Sequence, residues 1–207
     1  MILYFIHTPR TGGLSVQQYM GQGKKKGLFN ISCNGHARYS EKHHTQLKNQ
    51  AAETSEKVIA FTILRDPVEL AASLYSYIRM CNANSHRGYL ETQKWNFSQW
   101  IVESNQHKNF YTRFLNWHTP APKELHPPVQ GAVDTLKQFN YIFDTSTLTQ
   151  GFNTMLKKEG INYPFNIHVN GNPRPTVTPG DVEVIKEVCS LDYELLKLSA
   201  PHIKLMY

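Results

Sequence analysis

The amino-terminal segment, residues 1–15, constrains the chain more than any other stretch. Ile2-Leu3-Tyr4-Phe5-Ile6 is an unbroken apolar run. A strand apolar on both faces must be covered on both, so it reads as an interior strand of a parallel sheet. It leads directly into His7-Thr8-Pro9-Arg10-Thr11-Gly12-Gly13-Leu14-Ser15, after which Val16, Tyr19 and Met20 recur at helical spacing. A strand, a glycine turn and a helix in succession bring several backbone N–H groups into one small volume at a helix N-terminus, where partial positive charge favours an anion. Glycines let backbone approach that anion closely. Thr11 and Ser15 can add hydroxyl donors, and Arg10 a full charge. The patterns G-x-x-x-x-G-K-[ST] and G-x-G-x-x-G are both absent, which disfavours an ATPase or a dinucleotide dehydrogenase.

Composition narrows the choice further. A chain of 207 residues suits one compact domain and needs no disulfide or metal to fold. With 40% apolar, 12% aromatic and 18% charged residues, full-length disorder and collagen-like or coiled-coil folds are excluded. Lys and Arg number 22 against 16 Asp and Glu, a net +6 that favours an anionic ligand such as a nucleotide, a nucleic acid or an acidic glycan, and that also serves solubility. Cys33, Cys81 and Cys189 form no C-x-x-C pair, so neither a zinc knuckle nor a thioredoxin motif is present, and their odd count points to a reducing compartment. The run at Met1–Ile6 is short for a signal-peptide core, and no run nears the roughly 20 apolar residues that span a bilayer. The expectation is a cytoplasmic protein without a membrane span.

Along the chain, Leu28–Cys33 reads as a second strand, residues 41–56 as partly helical, and Val58–Leu64 as the clearest strand. Asp66-Pro67 opens a helix, with Asp as N-cap and Pro at the first helical position. Leu70, Leu74, Tyr77 and Ile78 form its apolar stripe. Residues 81–95 read as a mobile loop and Phe97–Trp117 as mostly helical. The prolines at 120, 122, 127 and 128 mark a surface excursion. Val129–Phe139 reads as a helix, Tyr141–Phe143 as a strand, and Leu148–Lys158 as a helix. An irregular stretch, 164–179, precedes one final helix opened by the capping-box-like Thr178-Pro179-Gly180-Asp181. Alternating strands and helices predict a three-layer α/β fold with a central parallel sheet.

A second segment matches the first in kind. Arg65-Asp66-Pro67 follows a strand and begins a helix that carries Ser73 and Tyr75, which puts Arg65 at the carboxyl end of the strand, where open α/β sheets bind ligands. The loop at 7–15 resembles the 5′-phosphosulfate loop of sulfotransferases that use 3′-phosphoadenosine-5′-phosphosulfate (PAPS), and is most similar to the glycan 2-O-sulfotransferase branch, whose loop reads close to H-x-P-K-T-G-G-T-S. The segment at 65–75 resembles that family's R-D-P-x-x-R-x-x-S-x-Y. The resemblance implies a P-loop-NTPase-like fold for a single sulfotransferase domain over 1–207, with PAPS as cofactor, 3′,5′-bisphosphoadenosine as product and no metal. It implies a hydroxyl acceptor, a glycan or small glycoside, and no nucleic acid. It assigns Arg10, Thr11, Gly12, Gly13, Leu14 and Ser15 to the 5′-phosphosulfate, Arg65 and Ser73 to the 3′-phosphate, and Arg174 to a basic loop closing over the cofactor. Two departures stand out: Arg10 replaces the usual Lys, a planar fork in place of a point charge, and Leu70 replaces the family's second Arg.

Cys33-Asn34-Gly35-His36-Ala37-Arg38-Tyr39 is similar to the H-G-H-x-x-[FY] segment that supplies the family's catalytic base, with Asn34 in place of the first His. His36 is therefore the candidate base, since an imidazole near pKa 6.5 suits proton removal at neutral pH. His43 and His44 are the fallback. Lys24-Lys25-Lys26 reads as a solvated turn that, beside a site, would attract an acidic glycan. Trp95, Trp100 and Trp117 read as core, with Trp95 also placed to stack on a sugar. Two rival functions remain: a nucleoside or small-molecule kinase with a degenerate phosphate loop, and a non-catalytic module that binds an adenine nucleotide or nucleic acid.

Overall fold

The computed structural model describes residues 1–33, 39–86, 88–116, 128–166 and 173–199. Its centre is an all-parallel sheet of four strands, β1 (Ile2–Ile6), β2 (Asn30–Ser32), β3 (Val58–Leu64) and β4 (Tyr141–Asp144), in the order β2-β1-β3-β4. Ile2 pairs with both Asn30 and Val58, and Phe61 with Tyr141.

Side chains alternate across the sheet and build a core on each face. Leu3, Phe5, Ile59, Phe61, Ile63 and Phe143 pack against Val16, Tyr19 and Met20 of α1 (Gly13–Lys25). Phe152, Met155 and Leu156 of α8 (Leu148–Lys158) complete that layer. Tyr4, Ile6, Ala60, Leu64 and Ile142 face the other way. They pack on Leu47 and Ala51 of α2 (Glu41–Glu53), on α6 (Phe110–Leu115) and α7 (Val129–Leu136), and on Leu195 of α10 (Ser190–Ser199). Covering both faces is why the central strands β1 and β3 are near-continuous apolar runs rather than alternating ones. A third cluster joins α3 (Pro67–Met80) to α5 (Phe97–Glu103) and α9 (Pro179–Val188) around the fully buried Trp100.

The chain winds from β1 through α1 to β2, then crosses back through α2 to β3 on the far side of β1. This reversal makes the carboxyl ends of β1 and β3 a topological switch point, the place where such sheets leave a crevice between diverging connections. Both candidate anion-binding segments begin there.

Three expectations change. Within 81–95, residues Tyr89–Lys94 form a short helix, α4. The stretch after Phe97 is two helices, α5 and α6, separated at 104–109. The final helix is also two, broken at Cys189, whose N–H bonds to the Ile185 carbonyl. Asp192 at the start of α10 is buried and accepts hydrogen bonds from Tyr111 N at 3.1 Å and from Thr112 N and Oγ1 at 2.8 Å each, tying α10 to the open end of α6. Trp100 is core as expected, Trp95 is partly buried against the same cluster, and Trp117 lies outside the described residues. Among the described residues no helix is long and apolar enough to cross a membrane.

Candidate functional site

The loop after β1 is held open by its own side chains. Thr8 Oγ1 donates to the Ile63 carbonyl at 2.6 Å and lies 3.0 Å from Thr62 Oγ1, fastening the loop to the end of β3. Thr11 is fully buried, and its hydroxyl donates to the Thr8 carbonyl at 2.7 Å. The Thr11 hydroxyl therefore serves the loop, and only its amide remains for an anion. Arg10 adopts φ +64°, rare for a side-chain-bearing residue, and Gly12 follows at φ +79° as the N-cap of α1. Gly13 is required for a different reason: a Cβ there would lie 2.0 Å from the His7 ring, which is buried and stacked on Phe5.

These constraints leave the first turn of α1 without a side-chain cap, facing a cleft of about 980 Å³ walled by Arg10, Gly12, Gly13, Leu14 and Ser15. Ser40, Asp66, Asn96 and Thr178 do cap α2, α3, α5 and α9. The open N–H groups of α1 are thus available to a ligand.

The second segment meets the first in this cleft. Asp66 caps α3 by accepting from Val68 N at 2.9 Å and Glu69 N at 3.2 Å, with Pro67 at the first helical position, as expected from the sequence. Arg65, just ahead of that cap, donates through Nη1 to the Arg10 carbonyl at 2.9 Å. Arg10 in turn reaches α3, donating from Nε to Ser73 Oγ at 3.3 Å and laying its guanidinium 4.6 Å above the Tyr77 ring. Arg174 arrives from the loop before α9 and pairs with Glu69, whose carboxylate is also 3.5 Å from Arg65. Arg10, Ser73, Arg65 and Arg174 all wall the cleft.

Three guanidiniums therefore share this cleft with Glu69 as the carboxylate paired to two of them. Burial is the main cause that lowers the pKa of both Arg65 and Arg10, and Arg174 is the charge that pushes Arg65 down most. The arrangement is short of negative charge, which is the electrostatic signature of an anion site.

The other sequence candidates divide. His36 lies outside the described residues. His43 and His44 do not wall the cleft. His43 Nε2 is 2.8 Å from Ser32 Oγ, and His44 is buried beside Tyr4 with Nδ1 3.0 Å from Tyr39 Oη. Burial and the nearby Lys48 and His43 depress the His44 pKa to about 4. Lys24–Lys26 close α1 at the end opposite the loop, ~20 Å of helix away from the cleft, so they do not flank it. Lys26 lies over the Tyr163 ring instead.

Several cleft residues had no signal in the motifs. Tyr77 belongs to the cleft rather than to the apolar stripe of α3 and is 37% exposed. Residues Thr145–Gln150, the turn after β4 and the first residues of α8, form a wall rich in hydroxyls. They leave the carboxyl edge beside β3, so strand order is the signal that locates them. His86 also faces the cleft, its Nδ1 accepting from Gly88 N at 3.0 Å.

No protein-family model matches this chain, and no curated protein matches it.

Proposed function

We propose that this protein is a PAPS-dependent sulfotransferase with a P-loop-like nucleotide site, acting on a carbohydrate hydroxyl. The observation that supports this reading most is the convergence of Arg10, Arg65 and Arg174 with the uncapped N-terminus of α1 on one cleft at the switch point. Two anion subsites are implied, one at the loop and one at Arg65 and Ser73, and a cofactor with phosphates at both ends of a nucleoside would fill both. A volume of about 980 Å³ suits a nucleotide together with part of an acceptor.

The residues fit such a ligand chemically. Arg65 and Arg174 present forks to a phosphate, and Ser73 a hydroxyl. The amides of residues 12–14 and Arg10 would meet the group at the loop, the Ser15 amide being taken by the Gly12 carbonyl. When bound, PAPS would supply an activated sulfuryl group joined to a phosphate. Transfer would form a bond from the acceptor oxygen to sulfur as the bond from sulfur to the phosphate oxygen breaks, with His36 taking the hydroxyl proton and Arg10 and the loop amides stabilising the negative charge on the departing phosphate. Catalysis on this reading is positioning plus preorganised charge.

A thermal-shift comparison tests it. 3′,5′-Bisphosphoadenosine should raise the melting temperature by several degrees at saturating concentration, and ATP, NAD and oligonucleotides should not. Stabilisation by ATP with Mg²⁺ would favour a kinase, and stabilisation by oligonucleotides a nucleic-acid module.

A further inference from the structure

Glu69 sits one turn into α3, four residues after Arg65, and is not part of either motif's expected ligand set. Its Oε2 is 3.5 Å from Arg65 Nη2 and is paired with Arg174 Nη1. Two guanidiniums thus converge on one carboxylate oxygen, an environment that a phosphate oxygen also seeks.

The three partners are not equally fixed. The Arg65 side chain is 12% exposed and is also held by the Arg10 carbonyl, whereas Glu69 is 48% exposed and Arg174 46%. Exposed ion pairs contribute little to stability, so the Glu69–Arg174 contact is cheap to break. Glu69 can turn towards solvent from the first turn of α3 without disturbing the Asp66 cap or the buried face of the helix, where Leu70, Ala71 and Leu74 lie.

Resting on the reading above, we propose that Glu69 is an internal competitor for the anion subsite of Arg65 and Arg174, one that a phosphate monoester must displace to engage both guanidiniums. A singly charged group exchanged for a carboxylate gains little Coulomb energy at the same distance. A phosphate monoester brings nearly twice the charge and three acceptor oxygens, enough to engage both guanidiniums after displacing Glu69. Arg174 then transfers from Glu69 to the ligand. Ligand recognition becomes an exchange of partners, with no new cation needed.

The test is a calorimetric titration of wild type, Glu69→Gln and Glu69→Ala with 3′,5′-bisphosphoadenosine, adenosine 5′-phosphate and inorganic phosphate at pH 8. Both variants should bind 3′,5′-bisphosphoadenosine roughly 2- to 5-fold more tightly, the scale of removing an exposed competing charge, while adenosine 5′-phosphate is unchanged. Requiring both variants guards against a new contact made by the glutamine amide. Inorganic phosphate should also bind the variants more tightly, an arm that needs no nucleotide. Weaker or unchanged bisphosphate binding, with wild type still binding it, would overturn the competitor role and make Glu69 a support for the two arginines. If wild type binds no nucleotide yet inorganic phosphate still binds the variants more tightly, the PAPS reading fails and the role of Glu69 stands. If no probe binds any of the three proteins, both fail.

Discussion

Arg65, the first residue after β3, donates a hydrogen bond to the backbone carbonyl of Arg10, which lies 55 residues earlier in the loop after β1. The contact makes the two candidate anion-binding segments one unit, because the side chain proposed to hold one phosphate also fixes the backbone proposed to receive the other. The left-handed conformation of Arg10 is held at this point and at Ser73, where its Nε is anchored.

Replacing Arg65 by alanine removes a charge-assisted fork and the anchor together. Arg65→Ala should weaken 3′,5′-bisphosphoadenosine by ~10- to 100-fold, the scale of a hydrogen bond to a charged group. Adenosine 5′-phosphate should lose affinity by less, since it feels only the slackened loop. Titration of both nucleotides checks this, and equal losses would leave Arg65 as a loop anchor alone.

Gly13 and His7 form a steric pair. A Cβ at position 13 lands 2.0 Å from the His7 ring, so Gly13→Ala forces the loop or the ring to move. Overpacking of this kind costs ~1–3 kcal/mol, several degrees of melting temperature in a chain of this size. His7→Ala should cancel most of that added loss in the double variant. Calorimetric melting curves of the four proteins measure the coupling, and a Gly13→Ala protein as stable as wild type would refute the packing argument.

Arg10 and His36 should separate cleanly in kinetics. Arg10→Lys keeps the charge over Tyr77 and should retain most activity, while Arg10→Ala should lower turnover by ~10²-fold or more. His36→Ala should bind 3′,5′-bisphosphoadenosine normally and lose ~10²–10⁴-fold in rate. A change confined to KM for Arg10→Ala would make it a ground-state binder, and near wild-type turnover in His36→Ala would remove it as base.

Two buried imidazoles make stability depend on pH. His44 is depressed to about 4, and His107 to about 3 by burial and by Lys108 and Arg113. Both stay neutral in the fold while the unfolded chain protonates them below about 6.5, so their contribution is full above that pH and is lost as pH falls through the folded values. Asp192 has the opposite sign: burial raises it to about 6, so its contribution is present at low pH and lost as pH rises from 3.8 through 6. Between pH 4 and 6 the two imidazoles outweigh the one carboxyl, and stability should fall on acidification by roughly 1 kcal/mol per pH unit. Urea unfolding at pH 7, 6 and 5 measures this. His107→Gln should flatten the profile, and an unchanged slope would contradict the assignment.

The fold was readable where one physical cause dominated. Val58–Leu64 stood out because burial on both faces leaves Thr62 as its one polar residue, and α3 because Asp66 and Pro67 mark its start with two independent signals. Two helices at the carboxyl end read as one because only Cys189 separates them and it carries no breaker chemistry. Tyr77 was assigned to the core because it follows Leu74 by three residues, yet near the end of α3 that face turns towards the cleft and lies under Arg10. The Thr11 hydroxyl was assigned to an anion because its neighbours in sequence face one, but its partner is the carbonyl three residues back. Glu69 and Arg174 are 105 residues apart, and no periodicity or motif joins them.

The central claim is that the loop at 7–15 and the segment at 65–73 form a single site for a nucleoside bearing phosphate at both ends. Calorimetric titration of the wild-type protein with 3′,5′-bisphosphoadenosine, adenosine 5′-phosphate and adenosine 3′-phosphate tests this most directly. The bisphosphate should bind ~10- to 100-fold more tightly than either monophosphate, since the second subsite then contributes a charge-assisted contact of ~1.5–3 kcal/mol. A monophosphate that binds as tightly as the bisphosphate would contradict it.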